Sequence, residues 1–138
     1  MTTVDQEQFR TARDMFAADT ASRSLGIEVC ELGEGRAVAT MTVSGAMVNG
    51  HGITHGGYVF LLADTAFALA CNSYDQPAVA ARADIRFLRS TRLGAVLTAT
   101  AVERSRFGRS GLYDVTVTDG SGAAIAEFRG DSRVIARP

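Results

Sequence analysis

Hydrophobic and polar positions along the chain switch between a helical period and a two-residue period, and one stretch obeys neither. Residues 58–71 (YVFLLADTAFALAC) are apolar on every side, rich in good helix formers, and interrupted by a single charge, Asp64. A helix that is hydrophobic all round is a buried one, so this stretch predicts the core helix of the fold. It is too short for a bilayer span, which needs about 20 apolar residues. Upstream, Phe9, Ala12 and Phe16 form the apolar stripe of a first helix, N-capped by Asp5 and running to about Asp19. Residues 25–32 then alternate, with Ile27 and Val29 on one side and Glu28 and Cys30 on the other. Gly33-Glu34-Gly35 turns into a second alternating run, 36–43, and the two runs read as a β-hairpin.

Residues 44–54 have no periodicity and contain Gly45, Asn49, Gly50 and Gly52, which makes them a loop leading into the core helix. Four strand-like runs follow it: 78–88, 95–104, 112–118 and 123–134. In the first, Val79, Ala81, Ala83, Ile85 and Phe87 share one face while Arg82, Asp84 and Arg86 take the other. The breaks at 107–109 and 119–122 read as hairpin turns. The pattern predicts an α+β fold, with the last four strands in a meander and a largely antiparallel sheet curled around the apolar helix. No repeat or linker divides residues 1–138, so one domain is expected.

Composition narrows the function. With 138 residues, 46% of them hydrophobic and 21% charged, the chain has ordinary globular values. A net charge of -1 argues against a general nucleic-acid binder or a basic membrane-surface protein. Every basic residue is Arg and none is Lys, which is first of all a compositional bias. Cys30 and Cys71, the only cysteines, are expected as buried free thiols. The start of the sequence shows no basic-then-apolar export signal, which points to a reducing cytoplasm.

Asp64 carries the chemical interest, because an unpaired carboxylate in an apolar helix costs several kcal/mol, about 3 or more, unless something compensates it. The helix start is the second clue. His55-Gly56-Gly57 puts bare backbone at a first turn, where amide N–H groups lack intrahelical partners and the helix dipole is positive. Such a turn suits an anion or a developing oxyanion, although a Gly-Gly pair also serves tight turns and close packing.

The string from Asn49 to Ser73 (NGHGITHGGYVFLLADTAFALACNS) resembles the signature of hotdog-fold acyl-CoA thioesterases, most closely the phenylacetate-degradation (PaaI-like) family. Residues 25–29 and the downstream strands fit too, so the resemblance covers nearly the whole chain. It implies a hotdog fold, the helix wrapped by the sheet, and hydrolysis of phenylacetyl-CoA or hydroxyphenylacetyl-CoA type thioesters. In that family's terms the Gly56 N–H polarises the thioester carbonyl, Asp64 is the nucleophile or general base, Asn49 orients substrate or water, and His55 positions the site. Gly57 and Thr65 would lie beside the substrate. CoA is part of the substrate, and no cofactor is implied.

A length argument adds to this. Eight residues of helix separate Gly56 from Asp64 by about 12 Å, too far to act on one carbonyl carbon. A twofold pairing brings Gly56 of one subunit to Asp64 of the other, which predicts a homodimer with sites at the subunit interface, and the family commonly pairs such dimers. Among Arg86, Arg89, Arg92, Arg104, Arg106 and Arg109, which cluster around turns, Arg89 and Arg109 are the candidates for CoA phosphates because they sit near strand ends. Tyr58, Phe60, Phe67 and Tyr74 suit the core better than an acyl pocket. His51 and His55 stand four apart, but Gly50 and Gly52 deny them a helix and no third ligand is evident, so no metal is expected. Two other readings stay open: a non-catalytic acyl-CoA-binding hotdog domain, which would not need Asp64, and a hotdog enoyl-CoA hydratase or dehydratase, which would use a His with an acid.

Overall fold

A computed structural model describes residues 8–136. In chain order it contains α1 (Arg10–Ala17), α2 (Thr20–Ser24), β1 (Glu28–Gly33), β2 (Arg36–Thr42), a short 3-10 turn (Gly45–Met47), α3 (Gly56–Cys71), β3 (Ala78–Phe87), β4 (Val96–Phe107), β5 (Ser110–Thr118) and β6 (Ala124–Val134). The strands form a six-stranded sheet of order β1-β2-β4-β5-β6-β3, and every pairing is antiparallel. Helix α3 touches all of the strands, which a sheet can achieve only by curling around it. This is the α+β hotdog arrangement expected from the sequence.

The core forms where α3 meets the sheet. Leu62, Phe67 and Leu69 are sealed from solvent, and the Phe67 ring packs at 5.6 Å from Tyr113 and 5.7 Å from Phe128. Each such side chain contributes roughly 1.5–3 kcal/mol through burial. Gly130 of β6 makes the fit possible, because a Cβ there would lie 2.8 Å from the Phe67 ring.

Several expectations are corrected. Only β4, β5 and β6 meander; β3 sits on the far edge beside β6, while β4 returns to pair with β2. Helix α3 crosses the sheet from the β2 side and delivers the chain to the opposite edge, and residues 88–95 carry it back. Edge strand β3 also breaks the alternation read from the sequence. A bulge between Ala80 and Arg82 shifts its register, so Ala83 and Ile85 pack on the core while Val79 (47%) is exposed; Phe87, in register with Ala83 and Ile85, is exposed (57%) at the end of this edge strand.

The first helix differs as well. It begins at Arg10 after Phe9 in a left-handed conformation (φ 60°), and it stops at Ala17 because Asp19 caps a separate helix, α2, instead of ending α1. Asp5 lies outside the described residues. Ala12 is fully buried, so α1 packs on the core. Cys71 is a buried free thiol as expected, but Cys30 is exposed, because β1 is the other sheet edge.

Candidate active site

The loop before α3 is irregular yet tightly held. Asn49 Oδ1 accepts the His51 N–H at 2.9 Å and the Ile53 N–H at 3.3 Å, an Asx-type turn that stands in for regular structure. The Ile53 carbonyl in turn accepts the Asn49 N–H at 2.8 Å. Two N–H donors fix which end of the amide is oxygen, and Nδ2 makes no hydrogen bond among the described residues. Buried Thr54 then ties the loop to the β3–β4 connection: its N–H donates to the Thr91 carbonyl at 2.9 Å, and the two hydroxyls meet at 2.8 Å. His55 donates its N–H to the Met47 carbonyl at 2.7 Å.

His55 is the N-cap of α3, extended in backbone, and its Nδ1 accepts the Gly57 N–H at 2.9 Å. An acceptor Nδ1 puts the neutral ring's proton on Nε2. The Gly57 amide expected beside the substrate is therefore already used, whereas the Gly56 N–H donates to no acceptor among the described residues. The bare Cα of Gly56 lets the Phe87 ring lie against it: a Cβ there would sit 2.9 Å from Phe87 Cζ. Around this turn is a cavity of about 330 Å³, lined by Asn49, Thr54, Gly56, Val59, Phe87 and Arg89 among others. Three of the residues singled out from the sequence thus share one cavity. A larger groove, about 920 Å³, runs between α1 and β1, but none of the candidate site residues lines it.

Asp64 and Thr65 are placed elsewhere. Helix α3 is unbroken from Gly56 to Cys71, so Asp64 is about 12 Å further along the axis than Gly56. Its carboxylate makes no hydrogen bond or ion pair among the described residues, and it is half-buried rather than buried. Burial first, and the Asp19 carboxylate second, push its proton affinity above the ordinary carboxyl range. Cys71, two turns further along the same side of α3, is pushed up to about 12 by burial and then by Asp64, so its thiol is inert. The single hydroxyl proton of Thr65 is shared between the Leu61 carbonyl of its own helix (2.9 Å) and Ser22 Oγ (2.8 Å), without a bond to Asp64.

One stripe of α3 is left uncovered. Gly57, Leu61, Asp64 and Ala68 fall within one narrow arc, and beyond the first turns, where Gly56, Tyr58 and Phe60 are also half-buried, they are the positions of the helix that the described residues leave unburied. Thr65, on one flank of that stripe, contacts α2, and Phe60, on the other, contacts Phe128 of β6 at 5.4 Å. The stripe therefore opens toward the sheet edge formed by β3. Arg109 lies at the β4–β5 turn, donating to the Val134 carbonyl at 3.0 Å, at the opposite end of the sheet from Arg89. Among the described residues no group of three or more His, Cys, Asp or Glu side chains is arranged to hold a metal ion.

Sequence reasoning missed Asp19 and Phe87. Asp19-Thr20-Ala21-Ser22 carried a readable N-cap signal, but Asp19 was taken as the end of the first helix rather than the start of a second. Phe87 looked like a core residue of an alternating strand, and only its place at the end of an edge strand reveals it.

Comparison with known proteins identifies this arrangement. Residues 51–126 match the family model described as Thioesterase superfamily. The chain is 42% identical over 132 residues to the acyl-coenzyme A thioesterase PaaI of Escherichia coli K12, covering 96% of this chain and 94% of that one. The structure of the E. coli PaaI protein from the phenylacetic acid degradation operon superposes with a TM-score of 0.90, at 44% identity and 93% coverage of both chains. A hypothetical thioesterase from Streptococcus pneumoniae TIGR4, solved with coenzyme A, superposes with a TM-score of 0.83, at 25% identity, over 90% of this chain and 97% of that one.

Proposed function

The chain belongs to the thioesterase superfamily and is an acyl-CoA thioesterase, and we propose that it hydrolyses phenylacetyl-CoA or hydroxyphenylacetyl-CoA type substrates at two equivalent sites shared between subunits of a dimer. The observation that carries the reading is the geometry of α3: an open amide at Gly56 and a carboxylate about 12 Å further on, on a stripe that the described residues leave only half-covered. A second copy docked along the β3 edge would lay its own α3 against that stripe. Exposed Val79 and Phe87 on an edge strand ten residues long support β3 as the docking edge.

In this site the thioester oxygen accepts the Gly56 N–H at the positive end of α3, joined by Asn49 Nδ2, and the partner subunit's Asp64 faces the carbonyl carbon. Ionised Asp64 either attacks that carbon, giving a mixed anhydride that water then opens, or takes a proton from the attacking water. In both routes the oxyanion rests on the Gly56 amide while the C–S bond breaks, and one water yields the free acid and CoA thiol. The proposed chemistry needs only water besides the substrate. His55 keeps the Gly57 N–H occupied, which leaves Gly56 as the donor aimed outward. Antiparallel pairing of β3 with its copy sets the beginning of one strand beside the end of the other. Val134 pairs with Ala78, so the partner subunit's Arg109 approaches the rim that carries Arg89, and together they suit the phosphates of CoA. A cytoplasmic enzyme keeps the exposed Cys30 thiol reduced.

The test is subunit mixing. Asp64→Asn removes the base, and Gly56→Pro removes the N–H donor at a helix position where proline is favoured. The extended backbone of His55 accepts a following proline, and the exposed Phe87 ring can swing aside. Each variant alone should be inactive in a thiol-release assay with phenylacetyl-CoA. Refolded together in equal amounts they should regain about a quarter of wild-type activity, since half the dimers are mixed and each carries one intact site. Mixtures as inactive as their parents, or a monomer by light scattering, would refute the shared site. Thiol release from a medium-chain acyl-CoA and hydration of crotonyl-CoA, run in parallel, separate a general thioesterase and a hydratase from the specific reading.

A further inference from the structure

Helix α2 has only five residues and cannot hold its place by its own hydrogen bonds. It is anchored at its first turn. The Asp19 carboxylate accepts the Ser22 N–H at 2.9 Å and the Ser22 hydroxyl at 2.6 Å. Ser22 is buried, and its Oγ meets Thr65 Oγ1 at 2.8 Å in the middle of α3. Thr65 immediately follows Asp64. A continuous chain of polar contacts therefore runs from Asp19 to the turn of α3 that carries the working acid. We propose that Asp19 is a positioning residue for Asp64, fixing that turn of α3 through Ser22 and Thr65 and setting the negative field in which Asp64 takes up and gives up its proton. This rests on the thioesterase reading in which Asp64 acts on the substrate.

The surroundings leave Asp19 as the charged group that matters to Asp64. Helix α1 presents Ala12, Met15 and Phe16 to the core while Arg10, Arg13 and Asp14 are exposed. On α2, Arg23 donates to the Ala17 carbonyl at 2.9 Å. Strand β3 presents Ala83 and Ile85, with Arg82, Asp84 and Arg86 exposed. The titratable side chains buried around α3 are Tyr113 on β5 and Cys71 on α3 itself, and burial keeps both neutral. Among the described residues, the Asp19 carboxylate is the charge that, after burial, raises the Asp64 carboxyl. A second copy covering the Asp64 stripe would exclude water and make two neighbouring carboxylates feel each other more strongly.

Asp19→Asn tests this, because the amide oxygen can still cap the Ser22 N–H while the charge is gone. The readout is kcat/KM against pH for phenylacetyl-CoA, together with the thermal midpoint. The acid limb reports ionisation of Asp64, and with the like charge removed it should move to lower pH in the variant. Ser22→Ala, which keeps the Asp19 charge but cuts the link to Thr65, should lower the thermal midpoint and kcat and leave the limb where it is in the wild type. A purely structural Asp19 would change the midpoint alone, and an unmoved acid limb in Asp19→Asn overturns the proposal; Asp19→Ser, which also caps well, serves the same purpose should the amide variant fold poorly. Asp64→Asn in the same assay keeps the two readings apart. If it retains turnover, the role of Asp64 itself fails; if it is inactive while the Asp19→Asn limb stays put, only the role of Asp19 does.

Discussion

The two ends of α3 are built on opposite principles. At its C-terminus every polar group is spent. Asn72 donates to the Ala68 carbonyl at 2.8 Å and the Ala78 carbonyl at 3.0 Å, and accepts the Ala78 N–H at 2.9 Å. Ser73 bonds the Ala70 carbonyl at 2.6 Å and accepts the Gly35 N–H at 2.8 Å. Tyr74 donates to Glu103 at 2.9 Å beneath the Arg106 guanidinium, 3.6 Å from its ring centroid. The N-terminal half does the reverse: among the described residues Gly56 keeps an open amide, Asn49 keeps an unused donor, and Asp64 sits half-covered without a partner. One end closes the fold, while the other withholds its hydrogen bonds for a substrate and a second subunit.

The largest effect should come from Asp64→Asn, which removes the base from the open end. A loss of about 10²–10⁴ in kcat with KM little changed is expected in steady-state thiol release. The same variant should be more stable than wild type near neutral pH. The raised Asp64 carboxyl means that the native state disfavours its charged form, so the charge destabilises the fold once pH exceeds that raised value. The stability gap should close as pH falls through the carboxyl range, where both proteins are neutral at this position. Thermal midpoints measured across pH test the sign, and a wild type more stable than the variant at neutral pH would contradict it.

Next in size, Asn72→Ala should cost about 3 kcal/mol in urea denaturation, since two buried hydrogen bonds and one part-buried one lose a partner at once. Activity per folded molecule should stay near wild type, because the C-terminal end meets no substrate. A kcat loss comparable to that of Asp64→Asn would erase the distinction between the ends. His55→Ala is the smallest: losing an N-cap costs about 1 kcal/mol. It also frees the Gly57 N–H, so KM should change more than the urea midpoint suggests. An unchanged KM would make His55 a cap and nothing more.

Much of this was legible in the sequence, for reasons specific to each element. The all-apolar run at 58–71 could only be a core helix, and one carboxylate within it had to have a use. Gly56-Gly57 marked the helix start, and the loop composition around Asn49 marked the irregular segment that holds it. Strand β3 was misread because a bulge is a feature of register between two strands, and neither strand announces it alone. Cys30 was placed inside for the same reason: alternation tells which residues share a face, but not whether the strand is an edge. Asp19 was passed over because a residue that closes one short helix and caps the next looks, along the chain, like a helix end alone until the backbone turns.

The chain by itself determined the elements, the position of the lone acid and the amide turn about 12 Å from it, because periodicity and helix rise are local properties of a polypeptide. Only the tertiary structure decided which strand lies at the edge, that the Asp64 stripe faces that edge uncovered, and that Asn49, Gly56 and Arg89 share one cavity while Arg109 lies at the far end of the sheet. Those facts depend on how the sheet closes around the helix, and closure is set by contacts between residues distant in sequence, which no local pattern encodes.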